Sequence, residues 1–161
     1  MAATDNYENI YVQIRGQKHF VLLPPVEMPC VNEQMLAKAR YAPTSTTNSA
    51  DDLAVEVDEA AETVPVATWD PDEPSARSTP YSHLSRSLRV TLREGDMLYL
   101  PAMWYHKVSQ RAGGGGFVCA VNYWYDMDFT GGFYANNGFV RDIVDADKMR
   151  PQYPELEMNG S

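Results

Sequence analysis

The chain has 161 residues, 44% of them hydrophobic and 11% aromatic, enough for one domain with a real core and no more. Thirteen basic against 22 acidic residues leave a net charge of −9, which argues against nucleic acid and against anionic membrane surfaces, since both require basic patches. That charge suits a basic protein partner such as one presenting lysine, and it equally suits plain solubility.

In chain order, Tyr7–Ile14 and Lys18–Leu23 are β-rich runs around Arg15-Gly16-Gln17, which predicts a hairpin stopped by Pro24-Pro25. Residues 26–43 read as loop, with a helical turn near Glu33–Lys38. Residues 44–63 are small, polar and acidic, and are expected to be an exposed, mobile insertion. Trp69 is the expected anchor of the extended loop that follows. Leu88–Leu92 alternates as a half-buried strand, Arg93–Asp96 reads as a turn, and Met97–Leu100 and Trp104–Ser109 read as short strands. Ala112–Gly116 predicts a flexible hairpin connection, because its four glycines lack the spacing and the following helix of a phosphate loop. Phe117–Tyr125 is a long β-rich run. Phe133–Val144 carries apolar residues at helical spacing and predicts one helix.

Cys30 and Cys119 lie far apart among apolar neighbours, with no CxxC, and read as reduced core residues of a cytosolic or nuclear protein. No basic-then-apolar leader and no apolar run of membrane-spanning length is visible, so a soluble intracellular chain is expected. About six short antiparallel strands without a βαβ rhythm point to an all-β sandwich or jelly roll. The expected division is a domain over residues 1–128 and a C-terminal helix and tail over 129–161.

Period-two arithmetic places Asn9, Tyr11 and Gln13 on one face of their strand, opposite Ile10, Val12 and Ile14. Lys18 shares a face with Phe20 and Leu22, and Asn122 with Trp124. Polar groups thus interrupt apolar strands where a ligand pocket would want them.

Three blocks then carry a resemblance. They are Asp5-Asn6-Tyr7-Glu8-Asn9 with its continuation to Phe20, Gly95-Asp96-Met97-Leu98-Tyr99-Leu100-Pro101-Ala102-Met103-Trp104-Tyr105-His106, and Val121-Asn122-Tyr123-Trp124-Tyr125-Asp126-Met127. Together they resemble the JmjC domain, and within it the small JmjC-only hydroxylases, in the branch described as bifunctional peptidase and lysyl hydroxylase. The resemblance implies a double-stranded β-helix of the cupin type, represented by its C-terminal half and incomplete at the N-terminus. It also implies Fe(II)- and 2-oxoglutarate-dependent hydroxylation of a protein side chain, with lysine the expected target, and a homodimer through the C-terminal helix. No Ser/His/Asp or paired-carboxylate arrangement supports a peptidase.

Matched position by position, the resemblance makes Asp5 and His106 metal ligands. Lys18 becomes the cation for the far carboxylate of 2-oxoglutarate, with Asn9, Tyr11, Asn122 and Trp124 around the cosubstrate. The family's first histidine would fall at position 3, which is Ala3. A methyl group cannot ligate iron. The chain as given is therefore expected to hold Fe(II) poorly and to be inactive, and a non-catalytic cupin-like binding module is the competing expectation.

Overall fold

The computed structural model describes residues 6–43, 53–58 and 60–149. Two three-stranded antiparallel sheets organise the first unit, which ends at Asp128. The first sheet takes β10 (Cys119–Asp126), β1 (Tyr7–Arg15) and β8 (Met97–Leu100) in that order. The second takes β7 (Leu88–Leu92), β2 (Gln17–Leu23) and β9 (Tyr105–Arg111). Between them Tyr11, Phe20, Leu22, Leu92 and Leu100 form one buried cluster, with Val90, Leu98 and Trp104 packed against it. The molecule is thus mostly β with a C-terminal helix, consistent with a cupin-like fold.

Both predicted hairpins are corrected. β1 and β2 do not pair with each other, nor do β9 and β10; each short connection carries the chain from one sheet to the other. Gly16 makes the first of these corners possible. Its φ is +73°, and a Cβ there would lie 2.7 Å from the carbonyl oxygen of Arg111. Only glycine satisfies both constraints. A hairpin turn and a corner between sheets use the same residues, so composition alone did not separate them.

The stretch between the sheets is also more ordered than expected. A 3-10 helix covers Pro25–Cys30, and β3 (Glu33–Leu36) pairs with β6 (Val64–Ala67), where a loop and a helical turn were expected. β4 (Ala39–Pro43), at the end of the stretch read as loop, pairs with β5 (Leu53–Val57), inside the segment read as an insertion. Tyr41, Leu53, Val55 and Val57 are all exposed in that ribbon, so no one-sided burial marked it as strand. The remainder of the insertion, residues 44–52 and 59, lies outside the described residues.

Trp69 does anchor its loop. It is 3% exposed, and its Nε1 donates to the carbonyl of Pro74 at 3.1 Å. Beside it, Lys107 Nζ reaches Asp70 Oδ2 at 2.6 Å and Asp72 Oδ2 at 2.8 Å, while Arg89 reaches Asp72 at 2.6 Å, tying the loop to β9 and β7. Burial alone would raise the Asp70 carboxyl, but the Lys107 hydrogen bond, the Asp72 backbone N–H and the Lys107 charge together hold it below the ordinary 3.8. Asp72 is held down by hydrogen bonds from Lys107 and then Arg89.

Carboxyls depressed by folding contribute stability above their unfolded value, and that stability is lost as pH falls through the folded value. Unfolding free energy is therefore expected to drop once pH falls below about 4. Lys107→Met should flatten that acid limb by about 0.2–1 kcal/mol for each exposed pair removed, as read from urea unfolding at a series of pH values. An acid limb unchanged in Lys107→Met would contradict this assignment.

Cys30 is buried, as expected, and its Sγ donates to the Tyr81 carbonyl at 3.3 Å; burial, and then the Glu27 charge, push its thiol pKa up. Cys119 is exposed, against expectation. It starts β10, which is paired only through β1, so the other edge of that strand is open among the described pairings.

The second unit is described by itself. α1 spans Gly132–Lys148, the helix expected from the spacing, with a Phe129–Tyr134 ring contact before it at 5.2 Å and a Lys148–Asp145 ion pair in its last turn. The cation at that end complements the helix dipole. No helix among the described residues is long and apolar enough to cross a membrane.

Candidate functional site

β1 inverts the usual burial order. Asn9, Tyr11 and Gln13 are buried, Ile10 and Val12 only half-buried, and Ile14 exposed. An antiparallel strand normally turns its apolar residues to the core, so two inward amides signal an interior that uses polar groups.

Residues directly paired across a sheet share a face. Leu100 and Trp124 therefore stand beside Asn9, and Leu98 and Asn122 beside Tyr11. On the second sheet Leu92 and Gln110 flank Lys18, Val90 and Val108 flank Phe20, and Leu88 and His106 flank Leu22. The buried cluster shows that these two faces meet. Asn9, Tyr11, Asn122 and Trp124 consequently belong to one wall of the interior, and Lys18 and His106 to the other.

The centre of this interior is set by aromatic geometry. Tyr11 and Phe20 pack edge to face at 5.0 Å, and the Lys18 ammonium sits 5.4 Å from the centroid of the Tyr11 ring. That cation–π contact is worth about 0.5–1 kcal/mol and keeps the charge facing inward. Asn9 Oδ1 and Gln13 Oε1 are buried without a hydrogen-bond partner. An orphaned buried acceptor costs about 1–3 kcal/mol, and a bound group with a donor would recover it.

His106 arrives by a constrained route. β8 ends at Leu100 and the chain turns through Pro101, Ala102 and Met103, the last with φ +66°, a region few side chains adopt. Glu8 ties this turn to β1. Its Oε2 accepts from the Ala102 N–H at 3.0 Å and from the Tyr99 hydroxyl at 2.6 Å. The Glu8 hydrogen bond, then burial and the Glu8 charge, raise the Tyr99 pKa. Tyr105, beside the histidine, is buried and donates to Glu33 Oε2 at 2.8 Å.

His106 is itself buried, with Nδ1 at 3.1 Å from the Trp104 carbonyl oxygen. A carbonyl only accepts, so Nδ1 carries the proton and Nε2 keeps the lone pair a metal needs.

Asn122 and Trp124 stand on the expected face but are exposed, because β10 closes only one side of its sheet; the Trp124 ring meets Tyr7 edge-on at 5.6 Å. Asp5 lies outside the described residues. Among the described residues no group of three or more His, Cys, Asp and Glu side chains converges to hold a metal ion. His19 is engaged with Thr91 Oγ1 at 2.7 Å. Among the described residues the interior supplies one cation suited to an anion, two amides whose orphaned oxygens call for a donor, and one histidine able to offer a metal a single bond.

Sequence reasoning did not single out Glu8 or Glu33, which position the histidine turn. Nor did it assign a role to Gln13, although the two-residue period placed it beside Tyr11. Acid residues at those places read as ordinary surface charges until their partners are known.

The sequence model of the family described as Cupin-like domain matches residues 1–131. The chain is 38% identical over 133 residues to "Lysine-specific demethylase JMJ32" of Arabidopsis thaliana, covering 78% of this chain and 37% of that protein. It is 38% identical over 125 residues to "Bifunctional peptidase and (3S)-lysyl hydroxylase JMJD7" of Homo sapiens, with the same 78% and 37% shares. It is 28% identical over 135 residues to "JmjC domain-containing protein E" of Dictyostelium discoideum, over 78% of this chain and 38% of that protein. The chain thus spans well under half the length of these relatives.

Proposed function

We infer the function from one premise: the chain belongs to the cupin-like domain family and is homologous to JmjC-domain proteins. We propose that it forms part of a double-stranded β-helix domain that hydroxylates a protein side chain with Fe(II) and 2-oxoglutarate. The observation that carries this reading is the inverted wall of β1, with buried Asn9 and Tyr11 facing the Lys18 cation.

In this proposal Lys18 takes the distal carboxylate of 2-oxoglutarate, a pairing of fixed cation and anion in a partly desolvated interior. The amides of Asn9 and Asn122 orient the other end of the cosubstrate, and Tyr11 and Trp124 supply apolar walls. His106 Nε2 and Asp5 are the ligands this chain would offer to iron. With dioxygen as the oxidant, the bound metal would supply the C–H hydroxylation, one oxygen atom going to the substrate and the other to succinate as 2-oxoglutarate loses CO2. The net charge of −9, and relatives named for lysine chemistry, support a protein substrate with a basic side chain. The proposed assembly is a homodimer along α1, where Phe139 and Ile143 are exposed one turn apart, and sedimentation checks it.

A second reading has its own observation. Ala3 occupies the position of the family's first histidine, which favours a non-catalytic binding module. Ala3→His separates the two. On the hydroxylase reading it should raise Fe(II) affinity by at least the roughly 10- to 100-fold that even outer-shell partners are worth, measured by anaerobic titration. Unchanged affinity in a folded Ala3→His chain would favour the binding module.

A further inference from the structure

The outward face of the second sheet carries its charges in rows. Alternation along β2 turns Gln17, His19 and Val21 to the face opposite Lys18, Phe20 and Leu22, and residues paired across the sheet share a face. Arg89 and Lys107 therefore flank Val21. Arg111 flanks Gln17 on one side, and Arg93, which follows the Lys18 partner Leu92, continues that row on the other.

The row at Val21 shows what such a pair of cations does. Arg89 and Lys107 hold Asp72 between them, and Lys107 takes Asp70 as well. The row at Gln17 has the same spacing, two strand separations or about 10 Å. Yet neither Arg93 nor Arg111 has a carboxylate partner among the described residues.

Both arginines instead line a cavity of about 450 Å³, together with Gln17, Glu94 and the glycine turn at Gly113 and Gly114. The carboxylate in that lining is already committed. Glu94 Oε2 pairs with Arg15 at 3.1 Å, and its Oε1 accepts from the Gly16 N–H at 3.0 Å. Gly114 faces open space, since a Cβ there would meet nothing within 4 Å, and its N–H has no partner among the described residues.

We propose that this cavity is an oxyanion site whose ligand is a phosphate dianion, free or as the monoester of a small molecule. A tetrahedral group presents enough oxygens for two guanidinium forks and a backbone N–H together, whereas a carboxylate presents two. Among the described residues no aromatic ring lines the cavity, so nothing there would hold a nucleobase, and the phosphoryl group is itself the element recognised. The site lies on the face of β2 opposite Lys18 and does not depend on the cosubstrate reading.

The full chain is titrated with inorganic phosphate at constant ionic strength while the Nε–H NMR signals of Arg93 and Arg111 are followed. Saturable shifts of both are expected, with none from sodium chloride at the same ionic strength. Arg93→Gln and Arg111→Gln should each weaken binding at least about 10-fold, and Arg111→Lys, which keeps the charge but not the fork, should fall between. Lys18→Met should leave phosphate affinity unchanged. Glycerol 1-phosphate then separates the two sources: tighter binding than inorganic phosphate assigns the site to a monoester, weaker binding to the free ion. Shifts that rise without saturating, wild-type affinity in folded Arg111→Gln, or binding lost in Lys18→Met but kept in both glutamine variants would overturn the proposal.

Discussion

Lys18→Met is expected to abolish most 2-oxoglutarate binding while leaving the fold in place. Methionine keeps the length and apolar stem of the side chain and can still lie on the Tyr11 ring, so packing changes little. What disappears is the one cation on the inward faces of the two sheets among the described residues, and with it the charge-assisted hydrogen bond proposed for a bound carboxylate. Hydrogen bonds to charged groups contribute about 1.5–3 kcal/mol, which corresponds to a loss of roughly 10- to 150-fold in affinity. Calorimetric titration of wild type and variant, with urea unfolding as the control for folding, reads both quantities. Equal affinities in two folded chains would remove Lys18 from the site.

The largest stability effect is expected at Phe20. It is 1% exposed, lies at the centre of the buried cluster, and holds the Tyr11 ring edge to face. Phe20→Ala leaves a cavity that the two sheets cannot close without moving, and such truncations cost about 3–5 kcal/mol. The lost ring pair adds about 0.5–1.5 kcal/mol where it is not already counted in the truncation. A domain of this size holds about 5–15 kcal/mol in total, so the variant should be marginal or unfolded at room temperature. Phe20→Leu, which refills most of the volume, should recover the greater part. A loss under about 1 kcal/mol for Phe20→Ala would mean that the two sheets do not share this core.

How far the sequence could be read depended on whether burial was one-sided. β1 alternates, and period-two arithmetic put Asn9, Tyr11 and Gln13 on one face, the face that is buried, whereas β2 buries Phe20 to Leu23 without alternation. The ribbon of β4 and β5 has exposed apolar residues throughout, so no alternation betrayed it. The two corners were misread as hairpins because glycine serves either purpose, and only the partner strand distinguishes them. Cys119 was misplaced for a related reason: apolar neighbours imply burial in a central strand, and β10 is paired on one side only.

Of the candidate residues, Asn9, Tyr11 and His106 are buried and Lys18 lies against the Tyr11 ring. Asn122 and Trp124 share a face and pair with Tyr11 and Asn9, but both are exposed, because β10 is paired on one side only. The contribution of Glu8 was not legible, because its partners Tyr99 and Ala102 lie more than ninety residues away.

The most direct test of the central claim is a protein-observed NMR titration of the chain with 2-oxoglutarate. Binding in the interior predicts saturable shifts centred on Asn9, Tyr11, Lys18, His106 and Asn122, absent in Lys18→Met. No saturable shift, or shifts confined to outward-facing residues such as Ile14, Tyr99 and Met97, would contradict it.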